Sequence, residues 1–178
     1  MRAARVGWML EYAGISKVFL LEGGFRAWRK SHFPTEKRLE KPSHHAFRVR
    51  PLSTILASAN QIRSGRSSIV LDVRTDGEFT GKEGRECDKR RGRIPRARWL
   101  EWSNFIQDGK RFKTRAEIAS ILKEKGLTNR SGVVTYCHRG ARAAAAYYAL
   151  RSLGFRNVRN YVGSWHEWSA RKILPVEK

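Results

Sequence analysis

Cysteine is scarce in this 178-residue chain: Cys87 and Cys137 are the only two, fifty positions apart. Two thiols so placed do not make a disulfide framework, and no Cys-x-x-Cys pair or Cys/His spacing signals structural zinc. A working free thiol suits a reducing compartment, so a cytoplasmic setting is expected. Acidic residues are also few, 16 against 37 lysines and arginines, which leaves a formal net charge of +21. Long apolar runs are absent. The basic start Met1-Arg2-Ala3-Ala4-Arg5 leads into Val6–Leu10, which Glu11 breaks. That run is too short for a signal-peptide core, and no segment reaches the length of a membrane span. Zinc-finger spacing, an RNP-like aromatic motif and an obvious recognition helix are missing as well. The charge therefore predicts a solvated basic surface with non-specific attraction for polyanions, and it can steer small anions into a cleft.

What is present centres on Val134-Thr135-Tyr136-Cys137-His138-Arg139-Gly140-Ala141-Arg142, running into Ala143–Ala146. The pattern is a buried strand, a tight loop opened by a cysteine, and a strong helix former. A cysteine there faces a helix N-terminus, whose unpaired N–H groups and dipole stabilise negative charge. His138, Arg139 and Arg142 add positive charge nearby. Such a setting favours the thiolate and makes Cys137 the candidate nucleophile. Gly140 lets the loop curl without a Cβ in the way. Cys87 lies in a charged stretch, Lys82–Arg91, and is expected to be exposed and incidental.

An internal repeat is the second strong signal. Residues 2–28 align with residues 142–168 at a constant offset of 140: Leu10 with Leu150, Gly14 with Gly154, Val18 with Val158, Gly23 with Gly163, Trp28 with Trp168. Each copy reads as helix, glycine stop, short strand, and Gly-led turn into an aromatic-rich helix. The second copy ends a complete unit spanning residues 44–178. The first, within residues 1–34, is expected to be the tail of an earlier unit, too small to bury a core by itself. It could pack on the second unit or mediate self-association. Residues 35–43, with Pro42, form the linker.

The second unit alternates strands and helices. Expected are a strand over Phe47–Val49, a helix over Leu52–Ile62, a central strand over Ser68–Val73 and an edge strand over Arg98–Trp102. Thr114 and Glu117 form a capping box for a helix to about Lys125, stopped by Gly126. Strand Gly132–Tyr136, helix Arg142–Leu153 and strand Val158–Tyr161 follow. Ser164 to Glu167 reads as a second capping box. This order predicts an α/β fold, a parallel sheet with helices on both faces, with ligands at the carboxyl ends of the strands.

Several motifs stand in order: Leu71-Asp72-Val73-Arg74 followed by Glu78-Phe79, then Gly92-Arg93-Ile94-Pro95, the Cys137 loop, and Gly163-Ser164-Trp165-His166-Glu167-Trp168. Together they resemble a tandem-domain rhodanese, a thiosulfate sulfurtransferase. The resemblance implies a rhodanese-like three-layer domain preceded by a partial copy of the same fold. It implies that Cys137 takes a sulfane sulfur from thiosulfate or a related anionic donor as a persulfide, and passes it to cyanide or a thiol. No metal, organic cofactor or membrane is implied. Residues His138, Arg139, Gly140, Ala141 and Arg142 correspond to the persulfide loop, with His138 and Arg139 toward the donor. Asp72 and Arg74 correspond to substrate-binding or loop-supporting positions. Glu78 stands where thiosulfate-using members carry an arginine, which implies a shifted donor preference. Rhodanese-like phosphatases have a loop one residue longer; here Arg142 follows Cys137 by five positions, which fits a sulfur atom better than a phosphate. The reading from another class is a catalytically weak module of this fold that binds anionic partners or nucleic acid through its charge.

Overall fold

The computed structural model describes residues 1–178 except 42, 44, 45, 66, 67, 109 and 110. The expected start of the second unit at His44 and the linker residue Pro42 therefore lie outside the described residues. Helix α1 (Arg2–Tyr12) and helix α2 (Gly24–Lys30) come first, then a 3-10 turn at Ser53–Ile55 and helix α3 (Ala59–Arg63). Strand β1 (Ser68–Asp72), helix α4 (Asp76–Thr80), strand β2 (Arg98–Trp99) and a 3-10 turn (Trp102–Phe105) follow. A small antiparallel pair, β3 (Ile106–Gln107) and β4 (Arg111–Phe112), precedes helix α5 (Arg115–Glu124). Strand β5 (Gly132–Tyr136), helix α6 (Ala141–Ser152), strand β6 (Val158–Asn160) and helix α7 (Ser164–Ala170) complete the chain.

The main sheet runs β2-β1-β5-β6, all parallel, with β1 and β5 paired along their length from Ser68↔Gly132 to Asp72↔Tyr136. Side chains alternate across it, as a strand's period of two demands. Leu71, Val73 and Val133 belong to the core shared with α5, α6 and α1, whereas Val134 and Tyr136 pack with Trp165 and Trp168 of α7. Both faces are covered, the condition under which all-parallel sheets persist. Ala143, Ala144, Ala145 and Ala146 are all buried, so α6 lies close against its neighbours with little side-chain bulk between them.

Several boundaries differ from the sequence expectation, each for a tertiary reason. Leu52–Ile62 is not one helix: Leu56 bridges to Asn160 and Ala57 N donates to Asn160 O at 3.1 Å, so the middle of the segment extends along the sheet edge. A new helix then starts at Ala59 under a Ser58–Gln61 capping box. Phe47–Val49 is not a strand. Arg50 N and Leu52 N instead bond to Ala13 O and Tyr12 O at the end of α1. The edge strand shrinks to Arg98–Trp99 because the chain turns into a 3-10 turn at Trp102. Residues 18–20 form no strand, since a lone strand has no neighbour to satisfy its ladder. The capping box at Thr114–Glu117 forms as expected. Ser164 does not cap α7: its φ is +52° and its hydroxyl turns inward.

Candidate active site

Strand β5 delivers Cys137 to the carboxyl end of the sheet, and α6 begins four residues later. Between them Gly140 takes φ +79°, and a Cβ there would lie 3.1 Å from Val162 Cα. Both the backbone angle and the crowding demand glycine. The backbone N–H groups of residues 138–142 have no acceptor among the described residues. The loop is braced from outside. Ser164 Oγ accepts from Cys137 N at 3.1 Å and donates to Tyr161 O at 2.7 Å. Trp165 N and His166 N donate to Cys137 O and His138 O, and Asn160 Nδ2 donates to Gly140 O at 3.3 Å. Cys137 itself is 2% exposed. A reactant must therefore come to the sulfur along a confined approach.

Two ion pairs flank this loop and differ in kind. Asp72 and Arg74 are both fully buried; Arg74 Nη2 lies 2.6 Å from Asp72 Oδ2 and also donates to Gly92 O. The guanidinium stacks 4.6 Å over the Trp165 ring, and Tyr136 Oη donates to Asp72. Burial and the Asp72 charge push the Tyr136 phenol well above its ordinary range, so it stays a donor. Asp72 and Arg74 thus sit beneath the loop and spend their hydrogen bonds on protein atoms.

The second pair is Glu78 with Arg142, a bidentate contact at 2.6 and 2.8 Å. Burial alone would raise the Glu78 carboxyl, but the Arg142 hydrogen bonds and charge, with Thr75 N–H, pull it down to about 2. Arg142 is raised in turn: burial opposes the shift, while Glu78 first and Cys137 second favour its charged form. Glu78 is also the third residue of a capping box with Thr75 that starts α4. It therefore does not face an incoming anion; it holds the arginine that closes the loop.

His138 and Arg139 diverge. His138 is 6% exposed and its Nε2 lies 2.9 Å from Asp88 Oδ1. Burial lowers its basicity, with Arg85 and Arg139 acting the same way and Asp88 opposing. Arg139 is exposed, its Nη2 3.3 Å from His166 Nε2 and 3.9 Å from Cys87 Sγ. Ala141 is the first residue of α6. Cys87 is exposed, as expected, yet its sulfur lies 3.7 Å from His138 Nε2. Asp88 escaped the sequence reading because tertiary packing alone brings it to the loop; Tyr136 was read only as a strand residue, and Ser164 and His166 only as part of the closing motif, since their contacts with the site are tertiary. Only the Thr75–Glu78 spacing carried a local signal. A cavity of about 510 Å³ lies elsewhere, lined among others by Ile62, Ile94, Val134 and Arg159 and by none of residues 137–142.

Residues 56–171 match the family model described as the rhodanese-like domain. The thiosulfate sulfurtransferase of Corynebacterium glutamicum is 35% identical over 196 residues, covering 98% of this chain and 62% of that protein. That of Azotobacter vinelandii is 29% identical over 178 residues, covering 98% and 65%. The chain thus spans less than two thirds of the length of these curated relatives. The anaerobic ergothioneine biosynthesis enzyme from Chlorobium limicola shares the fold, with a TM-score of 0.90 at 24% identity over 98% of this chain and 44% of that one. An EanB variant carrying a cysteine persulfide with ergothioneine superposes with a TM-score of 0.89 at 25% identity, over 98% and 45%. With the parallel sheet, the Cys137 loop and α6 all inside the matched residues, the chain belongs to the rhodanese-like domain family.

Proposed function

We propose that this chain is a sulfurtransferase unit in which Cys137 carries sulfane sulfur. The thiolate attacks the outer sulfur of thiosulfate or a related anionic donor. The donor's sulfur–sulfur bond breaks, sulfite leaves with the electron pair, and a Cys137 persulfide remains. Cyanide or a thiolate then attacks the outer sulfur and releases the Cys137 thiolate, which closes a ping-pong cycle. The observation that carries this reading is the row of N–H groups from residue 138 to residue 142, which have no acceptor among the described residues and follow directly on the cysteine. Such a row at a helix start receives a persulfide anion and the charge that develops on it. Arg142, held by Glu78, adds fixed positive charge beside the sulfur. Arg139 is the exposed cation that meets the donor, while Asp72 and Arg74 support the loop.

Two further readings accompany it. Residues 1–34 are read as a partial copy of the unit spanning residues 44–178, joined to it by a linker over residues 35–43, with self-association through residues 1–34 as a testable consequence. The +21 charge supports non-specific polyanion binding. The test of the main reading is intact-protein mass after incubation with thiosulfate. The parent gains one sulfur that cyanide removes, and Cys137→Ala gains none while keeping its circular dichroism. No gain from thiosulfate, mercaptopyruvate or a persulfide donor would sink the enzyme reading in favour of the binding module.

A further inference from the structure

We propose that Cys87, Asp88, His138 and His166 form a binding site for a borderline divalent metal ion, zinc by preference, beside the Cys137 loop. One ligand atom from each of the four lies within 4.8 Å of all the others. Two separations are already close to those of a tetrahedral centre: Cys87 Sγ to His138 Nε2 is 3.7 Å and His138 Nε2 to Asp88 Oδ1 is 2.9 Å. Zinc bonds of about 2.0–2.3 Å imply ligand-to-ligand distances of roughly 3.3–3.6 Å. Separations of up to 4.8 Å must shorten by at most about 1.2–1.5 Å to close the shell.

The donors are a thiolate, two imidazoles and a carboxylate. That set suits zinc and its borderline neighbours and disfavours magnesium or calcium, which take all-oxygen shells. Its two negative charges also neutralise a dication in an otherwise strongly basic chain. The lone pairs already converge on a cation. Arg139 Nη2 lies 3.3 Å from His166 Nε2 and 3.9 Å from Cys87 Sγ, and Arg139 is exposed, so it is free to swing away. His166 Nδ1 is buried and has no partner among the described residues, so Arg139 is the group a metal must displace from that ring.

The loop that supplies Cys87 and Asp88 is pinned. Arg90 donates to the carbonyls of Trp168, Ser169, Arg171 and Leu174 at 2.7–2.8 Å, at the C-terminal end of α7, and Trp165 Nε1 donates back to Arg90 O. His166 sits on that same helix. Three of the four ligands are thus tied to one rigid unit, and the fourth, His138, is held to it by His166 N–H. This ligand preorganisation is what a metal site needs in place of a search through loop conformers.

The proposal stands whether or not Cys137 carries sulfur, and its test reads metal alone. The reduced full chain is titrated with zinc against a chromophoric chelator, and with cobalt followed by absorption. The parent and Cys137→Ala should each bind one zinc, and each should show a cobalt–thiolate charge-transfer band. Cys87→Ser should lose at least about tenfold in zinc affinity and lose that band. His166→Ala should weaken zinc while keeping the band, which guards against a misfolded Cys87 variant. Zinc and the cobalt band lost in Cys137→Ala but kept in Cys87→Ser would put the metal on the other thiol and overturn the proposal. Absence of one-to-one binding in both the parent and Cys137→Ala would overturn it as well.

Discussion

The two copies of the repeat carry one pattern into two environments. In both, the first helix stops at a left-handed glycine, Gly14 at φ +100° and Gly154 at φ +83°. The second helices are offset by the same 140 residues to the last position, Gly24–Lys30 against Ser164–Ala170. Each opens on a positive φ, +61° at Gly24 and +52° at Ser164. Even the tryptophans agree: Trp28 Nε1 donates to Pro34 O and Trp168 Nε1 to Pro175 O, both at 2.8 Å. The difference lies in what each copy rests on. The second contributes β6 to the sheet and buries five alanines and two tryptophans, directly after the Cys137 loop. The first has no strand of its own, leaves Val6, Phe19 and Phe25 exposed, and is held by α1 packing on α6. Glu11 accepts from Tyr147 and Tyr148, and Trp8 is buried there. Local sequence makes the helices; the sheet makes the site.

That contrast can be broken by paired substitutions. Trp168→Ala should destabilise the chain by about 3–5 kcal/mol, the cost of a fully buried aromatic, whereas Trp28→Ala should cost under about 1 kcal/mol. Chemical denaturation of the two variants measures it, and equal losses would mean that α2, and not α1 alone, is part of the main core. A smaller contrast sits at the helix starts. Ser164→Ala strands the buried Cys137 N–H and should cost about 1–3 kcal/mol, and sulfur transfer should slow because the loop loses its brace. Gly24→Ser places a side chain in open space at the same backbone angle and should cost about 1–2 kcal/mol through that angle alone, with transfer unchanged.

The clamp of Glu78 on Arg142, the residue that opens the second copy, has a pH signature. Glu78 is pulled from 4.5 in the ordinary state down to about 2 in the fold. A depressed carboxyl contributes stability that is fully present above its unfolded value and is lost as pH falls through the folded one. The difference in melting temperature between the parent and Glu78→Gln should therefore be constant above about pH 5 and shrink toward pH 2. At neutral pH, losing the charge-assisted bonds should cost about 2 kcal/mol. A gap that stays constant down to pH 2 would show that Arg142 does not hold Glu78 in solution.

The segments that read correctly from sequence are those whose own chemistry is strong. The β-branched run at Ser68–Asp72, the strand Gly132–Tyr136 and the alanine-rich α6 appear almost residue for residue, as does the Thr114 capping box. Leu52–Ile62 failed because edge pairing with Asn160 outweighs a moderate helical pattern. Ser164 failed because a serine followed by a glutamate three positions on is also what a buried brace looks like in one dimension. Cys87 reads as a lone thiol in a charged loop, and only the grip of Arg90 on α7 brings it to His138.

Sequence alone located the strand, the helix and the glycine-bent loop that holds Cys137, the candidate nucleophile, because burial pattern, backbone freedom and helix propensity are local quantities. The tertiary structure decided which residues support and surround that loop: Glu78 on Arg142, Asp72 on Arg74, Ser164 under Cys137, and Cys87 with Asp88 beside the histidines. Those pairings join residues as many as 79 positions apart, Cys87 with His166, and what selects them is the desolvation of polar and charged groups that only the folded sheet brings into contact.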